Sequence, residues 1–299
     1  MRLLAGLAAV VALVVLVGCG GTASPARTSA AAPPRLSVPL PAEIRQKGRL
    51  EVGVKCDYPP FGYTDASGAT VGYEIDMVHR MALYSFGDPG RVDLQCVVAA
   101  NRIAFLTTGR VDMLVATLTY TPDRAKTIAF SDPYFSAAGR LLVARGSSIK
   151  EARDLAGKTV ATITGSVYDT YLHNCVPGTT VLTFQQTADG LAALKEGRAQ
   201  AFMQDDTLLA GLVRTNSDLT IAGSGVAAGP WGVGLRQGDA ALLAWVNASL
   251  AEMQKEDFDW KNFQKWVPDR SVQQKLARSV PRPGQSLVYG LGPVTACAA

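Results

Sequence analysis

The sequence predicts an α/β fold built from two similar halves, and three observations support this prediction. First, short apolar strands alternate with helical patterns between about residue 50 and residue 266, a rhythm typical of largely parallel sheets. Second, about 230 residues carry these signals, which is enough for two modest domains. Third, the strand–helix order starts again after the segment FSDPYF (130–135), although no sequence repeat is visible.

The amino terminus has the plan of a secretory signal peptide. Arg2 is followed by an apolar run over residues 3–17, which is shorter than the roughly 18–20 apolar residues that a membrane span needs. The run ends in Leu-Val-Gly-Cys, which resembles a bacterial lipobox. We therefore expect a signal peptide over residues 1–18 and a mature chain that starts at a lipidated, palmitate-bearing Cys19. A single transmembrane anchor is the alternative.

Residues 19–41 are rich in Ala, Ser, Thr, Pro and Gly and lack a periodic apolar face, so we expect a flexible tether before the fold begins near residue 42. The net charge of +4 comes from scattered basic residues, which gives no support for nucleic-acid binding. His79 and His173 have no neighbours of metal-ligand type. We expect neither a metal site nor a cofactor.

The strand and helix patterns divide the folded part into predicted lobes. The first lobe takes residues 42–140 and 232–268, the second lobe takes residues 141–231, and residues 269–299 form an extended carboxyl-terminal tail. In an open α/β sheet, ligands bind at the carboxyl ends of the strands. Two such ends that face each other would form a cleft. The main predicted strands cover residues 50–54, 92–98, 111–117, 139–146, 158–164, 179–184, 199–204 and 230–236, and the main predicted helices cover residues 71–84, 101–109, 165–175, 187–197 and 239–256.

Four cysteines besides Cys19 suggest two disulfides in an exported chain. Cys56 and Cys96 each end a predicted strand, so a bridge between them is possible if the strands are neighbours. Cys175 and Cys297 would form the remaining pair. The alternative is four free thiols.

The segment ATLTYTPDR (116–124) predicts an anion site. Thr121 suits the N-cap of a helix and Pro122 its first position, but Arg124 then lies in the first turn, where the helix dipole disfavours a cation by about 0.3–1 kcal/mol. Its guanidinium group matches a carboxylate in shape, and Thr117 and Thr119 offer hydrogen bonds on the same approach. A surface arginine beside an ordinary N-cap is the alternative.

Further polar and aromatic residues follow predicted strand ends. Asp205 is a candidate ligand for an ammonium group, unless it caps the next helix. Lys55 and Arg102 would suit an acidic side chain, unless they are solvated edge residues. Three more candidates lie on loops. Tyr58 and Phe61 could cover the aliphatic part of a ligand, unless Phe61 fills a local core. Ser166 follows Gly165 in a turn whose backbone amides could bind an anion.

These motifs resemble the extracellular solute-binding proteins of ABC importers for polar amino acids. The resemblance runs from about Gly48 to Trp266 and rests on GRLEVGVKCDYPPFGY, VGYEIDM, NRIAFLTTGRVDMLVATLTYTPDRAKTIAFSDPYF, DLAGKTV, GRAQAFMQDD and WGVGL, which stand in the family's order. It implies the type II periplasmic-binding-protein-like fold, in which two α/β lobes joined by two crossing segments close like a clamshell over one ligand.

The resemblance also implies roles for the candidate residues. Arg124 would bind the α-carboxylate with Thr119 and an amide near Ser166, and Thr117, Thr119 and Asp205 would bind the α-ammonium group. Tyr58 and Phe61 would cover the ligand. Lys55 and Arg102 would bind its side-chain carboxylate and so act as a clamp.

The clamp would make glutamate or aspartate the favoured ligand, with glutamine as an alternative. The sequence departs from acidic binders at Thr187, where relatives can use histidine, and at Val167, which replaces a common hydroxyl. The resemblance implies a monomeric, non-enzymatic lipoprotein on the outer face of the cell membrane, whose partners are a permease and its ATPase subunits. A sensor of the same fold and a cyclohexadienyl dehydratase-like enzyme are the rival functions. The enzyme would need a catalytic acid near Arg124, and the sequence places no Glu or His there that is suited to proton transfer.

Overall fold

The computed structural model describes Pro34, residues 36–290 and Cys297, and all structural statements concern these residues. The predicted signal peptide and Cys19 lie outside them. Within this part of the chain, no helix is both long enough and apolar enough to cross a membrane.

One eight-stranded sheet organises the fold, and a small three-stranded sheet lies beside it. The order of the large sheet is β5-β1-β6-β11-β7-β10-β8-β9, and that of the small sheet is β2-β3-β4. The strands are β1 (Leu50–Val54), β2 (Asp57–Tyr58), β3 (Gly62–Thr64), β4 (Thr70–Val71), β5 (Val92–Cys96), β6 (Met113–Val115), β7 (Ile128–Ala144), β8 (Thr159–Ile163), β9 (Thr180–Phe184), β10 (Ala201–Asp205) and β11 (Leu219–Arg236).

Helices connect and cover these strands, which confirms the predicted α/β fold. The α-helices are α1 (Ala42–Lys47), α2 (Tyr73–Phe86), α3 (Arg102–Thr107), α4 (Pro122–Ala125), α5 (Val167–Cys175), α6 (Thr187–Lys195), α7 (Asp206–Thr215), α8 (Ala240–Lys255), α9 (Phe258–Trp266) and α10 (Arg270–Lys275). Short 3-10 helices cover Ala152–Leu155 and Ala277–Ser279.

Two long antiparallel strands join two parallel groups. β1 pairs in parallel with β5 and β6, and β8 pairs in parallel with β9 and β10. Between these groups β7 and β11 pair with each other, β11 also pairs with β6, and β7 with β10. We call the half with β1, β5 and β6 the first lobe and the half with β8, β9 and β10 the second lobe. The predicted lobe limits, after residues 140 and 231, fall within the crossing strands and stay predictions.

An aromatic cluster fills the first lobe where the crossing strands enter it. The ring of Phe61 lies 4.8 Å from that of Phe135 and 5.0 Å from that of Trp231, and the rings of Phe135 and Trp231 stack at 5.0 Å. All three side chains are fully buried. Rings at these separations add to the stability that burial alone provides. The cluster therefore stabilises the packing of β7 and β11 against the first lobe.

The carboxyl-terminal tail differs from its predicted extended form. Asp269 caps α10 by accepting hydrogen bonds from the amides of Ser271 and Val272, at 2.8 and 3.3 Å. Val272 in this helix and Leu276 at its C-cap, four residues apart, pack against the main core. Beyond the helix, the Tyr289 ring stacks on Tyr120 at 4.4 Å. The capping residue and the apolar spacing explain why this segment folds back onto the domain.

Two disulfides join the pairs that the sequence suggested. Cys56 is bonded to Cys96 at the ends of the neighbouring strands β1 and β5, with 5.5 Å between their Cα atoms. Cys175, the last residue of α5, is bonded to Cys297, with 5.1 Å between their Cα atoms. The second bond ties the end of the chain to the second lobe.

Candidate ligand-binding site

A cavity lies between the lobes, at the ends of β1, β6, β8 and β10. Most of the predicted ligand residues line it, and the strand-end placement explains why: each follows a strand whose carboxyl end opens toward the cleft. The predicted residues on its walls are Lys55, Tyr58, Arg102, Thr117, Thr119, Ser166 and Asp205.

Arg124 lies beside this cavity and reaches across the cleft. The Thr121 hydroxyl accepts a hydrogen bond from the Arg124 amide at 3.1 Å, so Thr121 is the predicted N-cap. The guanidinium group donates to the Thr119 carbonyl in the first lobe at 2.7 Å and to the Gly165 carbonyl in the second lobe at 3.0 Å. Burial, followed by the positive charge of Arg102, lowers the pKa of Arg124. A bound anion would offset both effects.

Asp205 is the carboxylate of the cavity wall, and it does not cap a helix. Although it precedes α7, its side chain accepts no hydrogen bond from that helix in the described structure. Its two oxygens instead accept hydrogen bonds from the hydroxyls of Tyr58, in the first lobe, and Tyr168, in the second. Asp205 is 6% exposed, and burial raises its pKa. Burial, followed by the charge of Asp205, also raises the pKa of Asp206, to about 7.

Lys55 is buried and already carries a counter-ion. Its ammonium group lies 2.7 Å from an Asp57 carboxylate oxygen, and its side chain is 3% exposed. The other Asp57 oxygen accepts hydrogen bonds from the amide and the hydroxyl of Thr187 at 3.1 and 3.2 Å. Burial lowers the pKa of Lys55, and Asp57 opposes this change. Asp57 therefore neutralises Lys55 and links the first lobe to α6 of the second.

Arg102 is also buried, at 4% exposed, but its contacts are different. One guanidinium nitrogen, Nη1, donates to the carbonyls of Ala116 and Thr117. No ion pair to a carboxylate is found for Arg102 among the described residues, whereas Lys55 has Asp57. Burial lowers the pKa of Arg102. Of the two cations on the cavity wall, Arg102 is thus the one whose charge a ligand would balance.

Two further predicted residues have distinct places. Phe61 lies within the aromatic cluster of the first lobe and is absent from the cavity wall, which agrees with its alternative as a core residue. Ser166 caps α5, because its hydroxyl accepts from the Asp169 amide at 3.1 Å. Before it, Gly165 has φ +77°, and a Cβ atom there would lie 3.0 Å from the Cα atom of Ala100. Glycine therefore permits both the turn and the close approach of the lobes.

Sequence reasoning missed several residues of this region, three of them polar groups in or behind the cavity wall. Tyr168 and Gln204 line the cavity, and Glu74 lies behind it, where it accepts a hydrogen bond from the Thr117 amide at 2.7 Å. Gln204 stands beside Asp205 at a strand end, so the rule that identified Asp205 could have found it. Tyr168 and Glu74 lie in helices whose sequence patterns indicate only an apolar face, and tertiary packing alone brings them to the site.

The fold and the site define a two-lobed solute-binding protein. The sequence profile of the bacterial extracellular solute-binding proteins, family 3, matches residues 50–269, and the chain belongs to this family.

Known proteins similar to the chain support the same assignment. The chain is 31% identical over 260 residues to the ABC transporter glutamine-binding protein GlnH of Bacillus subtilis (strain 168), covering 86% of this chain and 94% of that protein. It is 30% identical over 235 residues to the glutamate/aspartate import solute-binding protein of Salmonella typhimurium (strain LT2), covering 75% and 78%. A solved solute receptor for L-cysteine of Neisseria gonorrhoeae superposes with a TM-score of 0.73 at 31% identity, covering 76% and 92%.

These relatives are binding proteins for different amino acids. Their names are those of binding proteins and not of enzymes, and they leave the particular ligand open.

Proposed function

We propose that this protein captures a polar amino acid outside the cell and delivers it to an ABC permease driven by its ATPase subunits. The observation that carries the proposal is the position of Arg124, which joins the Thr119 and Gly165 carbonyls across the cleft. A guanidinium group fixed in this way has a fork suited to an α-carboxylate. The amides near Ser166 and the hydroxyl of Thr119 would complete that subsite.

The α-ammonium group would be bound by Asp205 with Thr117 and Thr119. Asp205 is buried, and a cationic ligand would offset part of the cost of burying its charge. Tyr58 holds this carboxylate from the first lobe and Tyr168 from the second, so a ligand held by Asp205 would be contacted from both lobes. Closure over the ligand would provide the signal to the permease.

The charges of the cavity favour an acidic ligand side chain. Lys55 and Arg102 are its cations and Asp205 is its carboxylate among the described lining residues, while Arg124 is reserved for the α-carboxylate. Because Asp57 neutralises Lys55, Arg102 would bind the second carboxylate of glutamate or aspartate. Glutamine stays the alternative, since an amide oxygen can accept from the same guanidinium group.

We further propose that lipidation of Cys19 anchors the protein as a monomer to the outer face of the cell membrane. The lipobox-like end of the signal sequence supports this proposal. Incorporation of labelled palmitate into the wild-type chain, and its loss in the Cys19→Ser variant, is the expected result; labelling that survives the substitution would contradict it.

A thermal-shift panel tests the proposed ligand class. A ligand that binds only the folded state raises its stability by about 2.7 kcal/mol at a concentration of 100 Kd. We expect stabilisation by L-glutamate or L-aspartate, a smaller effect of L-glutamine, and no effect of γ-aminobutyrate, which keeps glutamate's side-chain carboxylate and amine but lacks the α-carboxylate. Equal stabilisation by glutamate and γ-aminobutyrate would contradict the role of Arg124.

A further inference from the structure

The backbone of Thr117 has an unusual conformation in the wall of the ligand cavity. Its φ is +47°, in the left-handed region that β-branched residues rarely adopt, because the Cβ atom then crowds the neighbouring carbonyl. Such conformations persist only where the surrounding structure imposes them, and they concentrate at functional sites. Thr117 is buried and lines the cavity, so the groups around it impose this conformation.

Two buried groups of opposite charge hold the peptide group between Ala116 and Thr117 at both ends. The Glu74 carboxylate accepts from the Thr117 amide at 2.7 Å. On the other side, Arg102 Nη1 donates to the Ala116 carbonyl oxygen and also, at 3.2 Å, to the Thr117 carbonyl oxygen. Because a peptide group is planar, fixing its N–H and its C=O fixes the plane before the Thr117 Cα atom. The hydrogen bond to the Thr117 carbonyl oxygen restrains the other side of that atom, so the two together restrict φ of Thr117.

We propose that Glu74 is a positioning residue for the ligand site: with Arg102 it holds Thr117 in the left-handed conformation and so places Thr117 and the following Thr119 against the ligand. This inference rests on the proposed function, because it assigns Glu74 a part in the amino-acid site. Glu74 is absent from the cavity wall, and its effect reaches the ligand only through Thr117.

The surroundings of Glu74 show that its charge is costly to keep. It is fully buried, and the groups that face it are the Tyr134 hydroxyl on β7, which donates to Oε1, the Thr117 amide, and the cations Arg102 and Lys55. Burial raises its pKa to about 7, and these neighbours oppose the rise.

Neither Glu74 nor Arg102 has all of its hydrogen-bonding atoms paired. Within the described residues, Oε2 of Glu74 and Nε of Arg102 have no hydrogen-bond partner. Burying a charged group costs free energy unless its hydrogen bonds are fully satisfied. A role in shaping the site explains why charged groups occupy these positions.

A double-mutant cycle with Thr117→Gly tests the proposal. Glycine adopts positive φ without steric cost, so it removes the need for a clamp on the backbone. By calorimetric titration with L-glutamate, or with L-glutamine if glutamate does not bind, we expect Glu74→Leu to weaken binding about tenfold or more in the wild-type chain. In the Thr117→Gly chain the same change should weaken binding less than about threefold. Equal losses in the two backgrounds would overturn the proposal.

Two further variants separate positioning from general stability. Glu74→Gln keeps an oxygen that accepts from the Thr117 amide, so it should bind more tightly than Glu74→Leu; equal weakening by the two would contradict the clamp. Asp259→Asn is the matched control, because Asp259 is a carboxylate at 2% exposure whose pKa burial raises to about 7 and Thr117 is not among its hydrogen-bond partners. It should bind ligand as the wild type does.

A failure of the wild-type chain to bind any amino acid would refute the proposed function. Wild-type binding that Glu74→Leu leaves unchanged would refute this inference alone. Circular dichroism and a thermal melt establish that each variant is folded before titration.

Discussion

Arg124 is the residue on which most of the binding argument depends, and its removal gives the simplest prediction. A carboxylate bound in the cleft without Arg124 would be an unpaired buried charge, which costs several kcal/mol. We therefore expect Arg124→Ala to abolish the measurable binding of every amino acid that the wild type binds. Arg91→Ala is a suitable control, since Arg91 is exposed and its one ion pair among the described residues is with Asp88 at the surface. Titration of both variants checks the prediction; affinity within about threefold of wild type in Arg124→Ala would contradict it.

Arg102 gives a prediction about selectivity. Its guanidinium group holds two carbonyls, so Arg102→Gln should weaken the binding of every ligand. If it also binds the ligand's side-chain carboxylate, the loss for glutamate should exceed the loss for glutamine by about tenfold, or about 1.4 kcal/mol. The ratio of the two dissociation constants is the measurement. An unchanged ratio would remove Arg102 from the side-chain subsite while leaving its structural contacts in place.

At the residue scale, the sequence was sufficient to predict site residues that lie at strand ends. It was not sufficient for residues that only tertiary packing brings to the site. Lys55, Thr117, Thr119 and Asp205 follow strands, and the topology of a parallel sheet brings such positions together. The counter-ion of Lys55 was not predictable in the same way, because its contact with Asp57 depends on the bend of the chain at Cys56, which the strand pattern does not indicate. Phe61 is the opposite case: it follows a strand end as the site residues do, but its side chain is buried in the core and does not line the cavity.

At the scale of elements, α6 provides a link between the lobes that closure would form. Its N-cap residue, Gln186, makes no side-chain capping bond to the helix in the described structure, and Asp57 of the first lobe accepts from the Thr187 amide instead. A carboxylate at a helix N-terminus is favourable because it accepts from an otherwise unpaired amide and complements the helix dipole. Opening of the cleft would separate Asp57 from the Thr187 amide, so α6 would lose this cap.

Thr187→Val should therefore weaken ligand binding, because it removes the hydroxyl that donates to Asp57 at 3.2 Å. A lost hydrogen bond of this kind contributes about 0.5–1.5 kcal/mol, which corresponds to a few-fold to about tenfold change in affinity. Thr180→Val, on the exposed part of β9, serves as the control and should bind as the wild type. Small-angle scattering without ligand adds a second readout, since the variant should be more open; unchanged affinity would argue against the link.

The elements also show where the sequence was sufficient. Strands and helices with strong periodicity, such as β1, α2, β10 and α8, lie close to their predicted bounds. The crossing strands β7 and β11 are far longer than predicted. The predictions were too short because Pro133 in β7 and several glycines in β11 resemble strand breakers. The tail was predicted as extended since its prolines outweighed a short helix that tertiary packing supports.

At the scale of the whole molecule, buried carboxylates with raised pKa values, Asp205 among them, predict how stability depends on pH, and three of them have a pKa of about 7. Burial raises the pKa of Glu74, Asp206 and Asp259 to about 7, above the values of about 4 that such groups have in an unfolded chain. Between these limits the folded state binds more protons than the unfolded state, so the free energy of unfolding falls as pH rises.

We expect the ligand-free protein to be more stable at pH 5.5 than at pH 8. Urea unfolding at several pH values between these limits measures the slope. The Asp259→Asn variant should show a smaller slope than the wild type, because it removes one of the three groups. A free energy of unfolding that rises with pH across this window would contradict the assignment of raised pKa values.

The most direct test of the central claim is calorimetric titration of the purified chain, in mild detergent, with glutamate, aspartate, glutamine, asparagine, arginine and histidine. We expect glutamate or aspartate to bind with one ligand per chain and with micromolar or tighter affinity, about −8 kcal/mol or more favourable. Arginine and histidine should not bind. Preference for an amide or a cationic side chain would contradict the acidic subsite at Arg102. The absence of binding heat from all six amino acids would contradict the proposed capture of a polar amino acid.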